Sequence, residues 1–235
     1  MSFRGSCMKR IFLLCMWLVF SMNMHSQIVY ADYSDPDVCE GERGDYWLTA
    51  SSFQCAPGLP ILHSKDLVHW QLVNYAIQNV PYPDAFLSDM PSPLPPQHGK
   101  GVWAPSIRHH GDTYYIYWGD PDHGVWMVKT KDPAGEWEQP VLVVPAKGVI
   151  DTTPLWDDDG RCYLVNAWAA SRSGFNSILT IRELSADGTR AIGRPVMVYD
   201  GQIEGNHTIE GPKLYKRGGY YYILAPAGGV EHGWQ

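Results

Sequence analysis

The sequence is poor in charge and contains no cluster of basic residues. Charged side chains make up 18% of the 235 residues, and 25 acidic against 18 basic residues give a formal net charge of −7. Nucleic acids and anionic membrane surfaces bind clusters of Lys and Arg. We therefore predict neither nucleic acid nor membrane as a partner.

Long apolar runs are also scarce. The run over residues 11–20 is too short to span a membrane. Basic residues precede it, and small or polar residues follow. This order predicts a secretory signal peptide over residues 1–26, with cleavage near Ser26, and a mature domain over residues 27–235. The protein is accordingly predicted to be secreted or periplasmic.

Cysteine is the third scarce residue type. Of five cysteines, two lie in the predicted signal peptide, which leaves Cys39, Cys55 and Cys162. Their spacing is not that of a zinc site. An odd number leaves at least one unpaired, and a Cys39–Cys55 bridge is an open alternative.

Aromatic residues are abundant, with 10 Trp and 14 Tyr, which favours β-structure. Four segments share one pattern: a proline, an apolar residue, a glycine-containing turn and an aromatic run. Each pattern predicts a β-hairpin. The segments cover residues 35–50, 104–119, 153–168 and 211–226, and we align them on Pro36, Pro105, Pro154 and Pro212.

Further strand-like runs follow three of the hairpins, at residues 59–73, 124–144 and 177–199. Repeated units of four strands are typical of β-propeller blades. A β-sandwich is the alternative, but it does not require the same hairpin at the start of each unit. The sequence contains about four units, and only the first two strands of the last unit are predicted within it.

One carboxylate lies near the first strand of three units: Asp35, Asp151 and Glu210. The second unit carries Trp103 there instead. First strands of propeller blades line the central channel, so these acids are expected to converge. Inverting glycoside hydrolysis uses two carboxyl groups roughly 6.5–9.5 Å apart, one as acid and one as base. A third carboxylate can raise the pKa of the acid.

Structural roles are alternatives for each of these residues. Asp35 precedes Pro36 and could simply begin a turn, while Asp151 could cap a strand. The Asp-rich residues 157–160 resemble a calcium loop, but Asp-Gly favours a hairpin turn. The histidines show no metal-binding spacing, so no metal site is predicted, although His207 is a candidate to line a substrate pocket.

Together, "DYSDPDV", "VWAPSI", "VIDTTPLWDDDG" and "TIEGPKLY" resemble family-43 glycoside hydrolases, in order and over nearly the whole mature chain. The resemblance implies an all-β, five-bladed propeller that hydrolyses xylose- or arabinose-containing glycans with inversion. It implies that Asp35 is the general base and Glu210 the general acid. Asp151 would orient the acid and raise its pKa. Phe53 and Trp103 would shape the sugar subsite.

The resemblance also sets further expectations. No cofactor is required, but calcium is sometimes associated with a channel His of the family's fifth blade. This chain carries only about four blades, so we expect weak or no activity from it alone. A non-catalytic carbohydrate-binding propeller or an inactive fragment is the alternative. A retaining fructan-cleaving enzyme would carry an Arg-Asp-Pro that is absent, and a sialidase would need more arginines.

Overall fold

The structure is a computed structural model that describes residues 31–53, 55–79, 100–229 and 233. The predicted signal peptide and the Pro-rich residues 89–99 lie outside the described residues. The described part is all-β apart from two one-turn helices, which confirms the all-β part of the prediction. None of its helices is long and apolar enough to cross a bilayer.

Three antiparallel sheets of four strands follow one another along the chain, each paired in sequence order. The first contains β1 (Asp37–Glu40), β2 (Tyr46–Thr49), β3 (Gly58–Ser64) and β4 (Gln71–Ile77). The second contains β5 (Trp103–His110), β6 (Thr113–Asp120), β7 (Gly124–Thr130) and β8 (Val141–Pro145). The third contains β9 (Val149–Trp156), β10 (Cys162–Trp168), β11 (Ile178–Leu184) and β12 (Val196–Asp200).

A fourth sheet has two described strands, β13 (Lys213–Arg217) and β14 (Tyr220–Leu224). The helices α1 (Ala170–Ser173) and α2 (Gly201–Glu204) precede β11 and follow β12. All four predicted hairpins are confirmed, because β1–β2, β5–β6, β9–β10 and β13–β14 pair antiparallel. Residues 157–160 form the turn of the third hairpin, where the Gly160 amide donates to the Asp157 carbonyl over 3.0 Å.

Apolar side chains bury themselves between neighbouring sheets. One cluster joins Ile61 of the first sheet to Ile116 of the second, and another joins Met127 of the second to Leu164 of the third. The first strands are also neighbours, because β5 contacts β1 and β9, and β9 contacts β13. The starts of the four hairpins therefore lie close together, although they are far apart in sequence.

A glycine allows the second and third sheets to approach closely. A Cβ atom at Gly119 would lie 2.6 Å from the Cα of Ile150, a distance that real Cβ atoms do not tolerate. Ile150 directly precedes Asp151. The absence of a side chain at Gly119 therefore permits the close packing that holds the start of β9 against the second sheet.

The four hairpins share a backbone kink, and our proline alignment misplaced it in the third hairpin. Asp35, Ala104, Asp151 and Gly211 all have positive φ, at 50°, 33°, 54° and 62°. In three units a proline follows the kink directly, but in the third the next residue is Thr152. Pro154 is thus not the counterpart of the other three prolines. Asp35 and Asp151 occupy equivalent kinked positions, whereas Glu210 lies one residue before its kink, as does Trp103.

The three cysteines among the described residues form no bridge. Cys39, Cys55 and Cys162 are all free thiols. Cys39 lies on β1 and packs against the first apolar cluster, whereas Cys55 is exposed in the loop after Phe53. The alternative of a Cys39–Cys55 bridge is therefore not realised, because one side chain faces the core and the other faces solvent.

Candidate active site

The structure brings the three predicted acids together at one cavity of about 500 Å³, which Asp35, Asp151 and Glu210 line. They come from the beginnings of the first, third and fourth sheets, which the adjacent first strands hold together. The lining also includes Phe53, Trp103 and Lys213. A carboxyl-lined cavity with two aromatic side chains is suited to acid–base chemistry on a polar, ring-shaped ligand.

Asp35 is exposed at the cavity, and its orientation is determined by a neighbouring serine. The Ser51 hydroxyl donates to Asp35 Oδ2 over 2.6 Å and accepts a hydrogen bond from the Ala104 amide over 2.7 Å. Ser51 itself is buried. Its hydroxyl therefore links the first and second sheets and holds one carboxylate oxygen, while solvent can reach the carboxylate.

Asp151 is bound by the segment that carries Glu210. The Gly211 amide donates to Asp151 Oδ2 over 2.8 Å. The pKa of Asp151 is raised to about 6, mainly by burial and to a smaller extent by the charge of Asp35. The hydrogen bond from the Gly211 amide and the ammonium of Lys213 act in the opposite direction. Asp151 is consequently ionised near neutral pH and positioned next to Glu210.

Glu210 is half-buried, and its pKa is raised well above the usual value of a glutamate. Burial raises the pKa of Glu210 to about 7, with further contributions from the charges of Asp151 and Asp35. Its amide donates to the Pro226 carbonyl over 3.2 Å, which fixes the backbone beside β14. The raised pKa lets Glu210 hold a proton closer to neutral pH than an ordinary glutamate does, as a general acid requires.

The kinked backbone is what aims these side chains. Non-glycine residues seldom adopt positive φ, and such strain persists where surrounding contacts impose it. Asp35 and Asp151 both adopt it, and both are bound by hydrogen bonds from another sheet or segment. Strained residues cluster at functional sites, which supports the choice of this cavity.

The aromatic candidates line the same cavity. Phe53 and Val102 exchange backbone hydrogen bonds of 3.0 and 3.3 Å, which ties the loop after β2 to the start of β5. Phe53 and Trp103 are therefore brought to one wall, where buried Ile150 and exposed Pro226 add further apolar surface. Flat apolar surfaces of this kind suit the faces of sugar rings.

His207 lies elsewhere. Its side chain is exposed, and it is not among the residues that line the cavity. Its carbonyl accepts a hydrogen bond from the Gly228 amide over 2.7 Å, so it helps to anchor the segment that carries Glu210. Substrate contact by His207 stays a prediction.

A second, larger cavity and the arrangement of metal-binding side chains were compared with the three-acid cavity. A larger cavity of about 820 Å³ lies between β4 and the loop around Trp137, but none of the three acids lines it. Within the described ranges, no group of three or more His, Cys, Asp and Glu side chains is arranged to hold a metal ion. The resemblance links calcium to a further blade, and no described residue is assigned to it.

Sequence reasoning missed two side chains at this site, Ser51 and Lys213. Ser51 lies in "TASSF", next to the predicted Phe53, but serine is too common in loops for its role to be visible. Lys213 follows "EGP" directly. A basic residue three positions after a predicted acid was the available signal.

The fold and cavity define a protein built from repeated antiparallel sheets, with carboxyl groups gathered where the sheets meet. Residues 25–235 match the sequence profile described as Glycosyl hydrolases family 43. The chain therefore belongs to glycosyl hydrolase family 43.

Relatives and solved structures agree with this assignment. The chain is 30% identical over 212 residues to a xylosidase/arabinosidase of Butyrivibrio fibrisolvens, covering 88% of this chain and 39% of that protein. It is 30% identical to a non-reducing end α-L-arabinofuranosidase of Bacteroides ovatus, covering 97% and 41%. The structure of xylan β-1,4-xylosidase from Bacillus halodurans C-125 matches with a TM-score of 0.70 at 28% identity, covering 88% and 39%. The chain thus spans about two fifths of the length of these relatives.

Proposed function

We propose that this protein is a glycosidase that hydrolyses O-glycosidic bonds of xylose- or arabinose-containing glycans with inversion. The observation that carries the proposal is the single cavity where Asp35, Asp151 and Glu210 meet, with the pKa of Glu210 raised to about 7. Family membership and relatives named as xylosidases and arabinofuranosidases support it. We also propose that the sheets are blades of a five-bladed propeller, about four of which lie in this chain, and that the protein is secreted or periplasmic.

The reaction we propose is a single displacement. Asp35 accepts a proton from water as the water oxygen attacks the anomeric carbon. The bond from that carbon to the glycosidic oxygen breaks, and Glu210 gives its proton to the departing oxygen. Asp151 keeps Glu210 protonated through its negative charge and binds the same segment through Gly211. The proposed reaction needs only water and the three carboxyl groups, without a cofactor.

The configuration of the first product tests this proposal directly. A full-length parent that contains this chain should hydrolyse an aryl β-D-xyloside or an aryl α-L-arabinofuranoside. Proton NMR, recorded before mutarotation equilibrates the sugar, should show α-xylose from the xyloside. First-formed β-xylose would contradict inversion, and binding of xylo-oligosaccharide without turnover would instead favour a carbohydrate-binding propeller.

The pH dependence should follow the proton on Glu210. Because Glu210 must be protonated to act, kcat/KM should fall as pH rises through about 7. Asp151→Asn removes a negative charge that raises the pKa of Glu210, so this alkaline limb should move to lower pH, by about one unit. The control Asp158→Asn, at an exposed turn carboxylate, should leave the limb in place. An unmoved limb in Asp151→Asn would remove Asp151 from its assigned role.

A further inference from the structure

A buried group of charges lies where the first strands of three sheets meet. Asp37 of β1 is almost fully buried, and its Oδ2 accepts from Arg108 Nη1 over 2.6 Å and from the Ile107 amide over 2.9 Å. The other oxygen, Oδ1, lies 3.4 Å from Lys213 Nζ. Asp37 thus binds residues of β5 and β13 at once.

Lys213 belongs both to this charge group and to the cavity. Its side chain lines the cavity together with the three acids, and it begins β13, three residues after Glu210. The carboxylates that face it are Asp37 and Asp35 from the first sheet, Asp151 from the third and Glu210 from its own segment, and Arg108 is the cation that faces it from the second.

The charges in this group do not cancel. The short contact between Asp37 and Arg108 pairs one negative with one positive charge, which leaves the ammonium of Lys213 in excess beside the cavity. A buried charge that is incompletely compensated is costly. Burial lowers the pKa of Lys213, and the charges of Asp37 and Asp151 oppose this effect, while the Lys213 charge in turn favours the ionised form of Asp151.

We propose that Lys213, held in place by Asp37 and Arg108, is a positioning residue that supplies the counter-charge for the three-carboxyl site. A cation beside Asp151 keeps that carboxylate ionised in an enclosed cavity, where it can then act on Glu210. The catalytic consequence rests on the proposed function, but the electrostatic one does not. It can be measured on a protein that turns nothing over.

The test is a side-chain titration. The ¹³C carboxyl resonances of Asp151 and Glu210, assigned through Asp151→Asn and Glu210→Gln, are followed by NMR against pH. Lys213→Met removes the charge but keeps the apolar stem, and the midpoint of Asp151 should rise by about one pH unit. Lys213→Arg keeps a positive charge, because a guanidinium stays protonated even when it is buried. This variant should therefore retain midpoints close to the parent values.

Lys216→Met is the matched control. Lys216 lies on the same strand but pairs with Asp157 and Asp158 instead. Its replacement should leave Asp151 and Glu210 unchanged. Unmoved carboxyl midpoints in a folded Lys213→Met protein would overturn the proposal, as would equal shifts in Lys213→Met and Lys213→Arg. If the midpoints move as expected but the full-length parent cleaves no substrate, the counter-charge stands and the proposed function fails.

Discussion

Glu210→Gln should remove most activity on substrates with a poor leaving group and much less on activated ones. Gln has nearly the same shape as protonated Glu, but it has no proton to give to the departing oxygen. For an alkyl xyloside or a xylo-oligosaccharide, kcat/KM should fall by about 10²–10⁴-fold, the usual contribution of general acid catalysis. For a dinitrophenyl xyloside, whose leaving group needs no proton, the loss should be small.

The comparison between the two leaving groups is what identifies the acid. A variant that merely distorts the cavity loses activity on both substrates in similar proportion. Glu204→Gln, at an exposed residue of α2, is the control of the same chemistry and should leave both rates unchanged. Equal losses on the two substrates would assign Glu210 a role in shape or binding, and Asp151 would then need testing as the acid.

The parts of this fold that depend on local chemistry could be predicted from the sequence. Each hairpin carries its own turn signal, such as Gly111 or Gly218, and its own aromatic strand, so pairing neighbours in sequence sufficed. The additional strands followed from apolar runs of suitable length. The gathering of the acids followed from the repeat and from the resemblance, because the first strands of successive units lie next to one another.

The parts that depend on distant contacts could not be predicted. The Ser51 hydroxyl meets the Ala104 amide across 53 residues, and Asp37 meets Arg108 across 71. Nothing local marks these partners. The positive φ of Ala104 was equally hidden, since no alanine favours it. The proline alignment failed in the third unit because the kink lies at Asp151 and not at the residue before Pro154.

Asp35→Ala should lower turnover strongly on every substrate, whatever its leaving group. The attacking water must lose a proton, and that requirement does not change with the departing group, so both the alkyl and the dinitrophenyl xyloside should lose about 10²–10⁴-fold. This pattern is the opposite of that expected for Glu210→Gln. Asp32→Asn, in the same segment and exposed, is the control that should keep parent rates.

Azide distinguishes a missing base from a damaged cavity. An azide anion needs no deprotonation, and the space that Asp35→Ala leaves at an exposed position can admit it. Added azide should therefore restore part of the turnover of the activated substrate, and the product should be a xylosyl azide of inverted configuration. Azide should not help Glu210→Gln on the alkyl xyloside, where the leaving group still lacks its proton. If azide does not restore the turnover of Asp35→Ala, or if the product is a glycosyl azide of retained configuration, Asp35 is not the base of an inverting site.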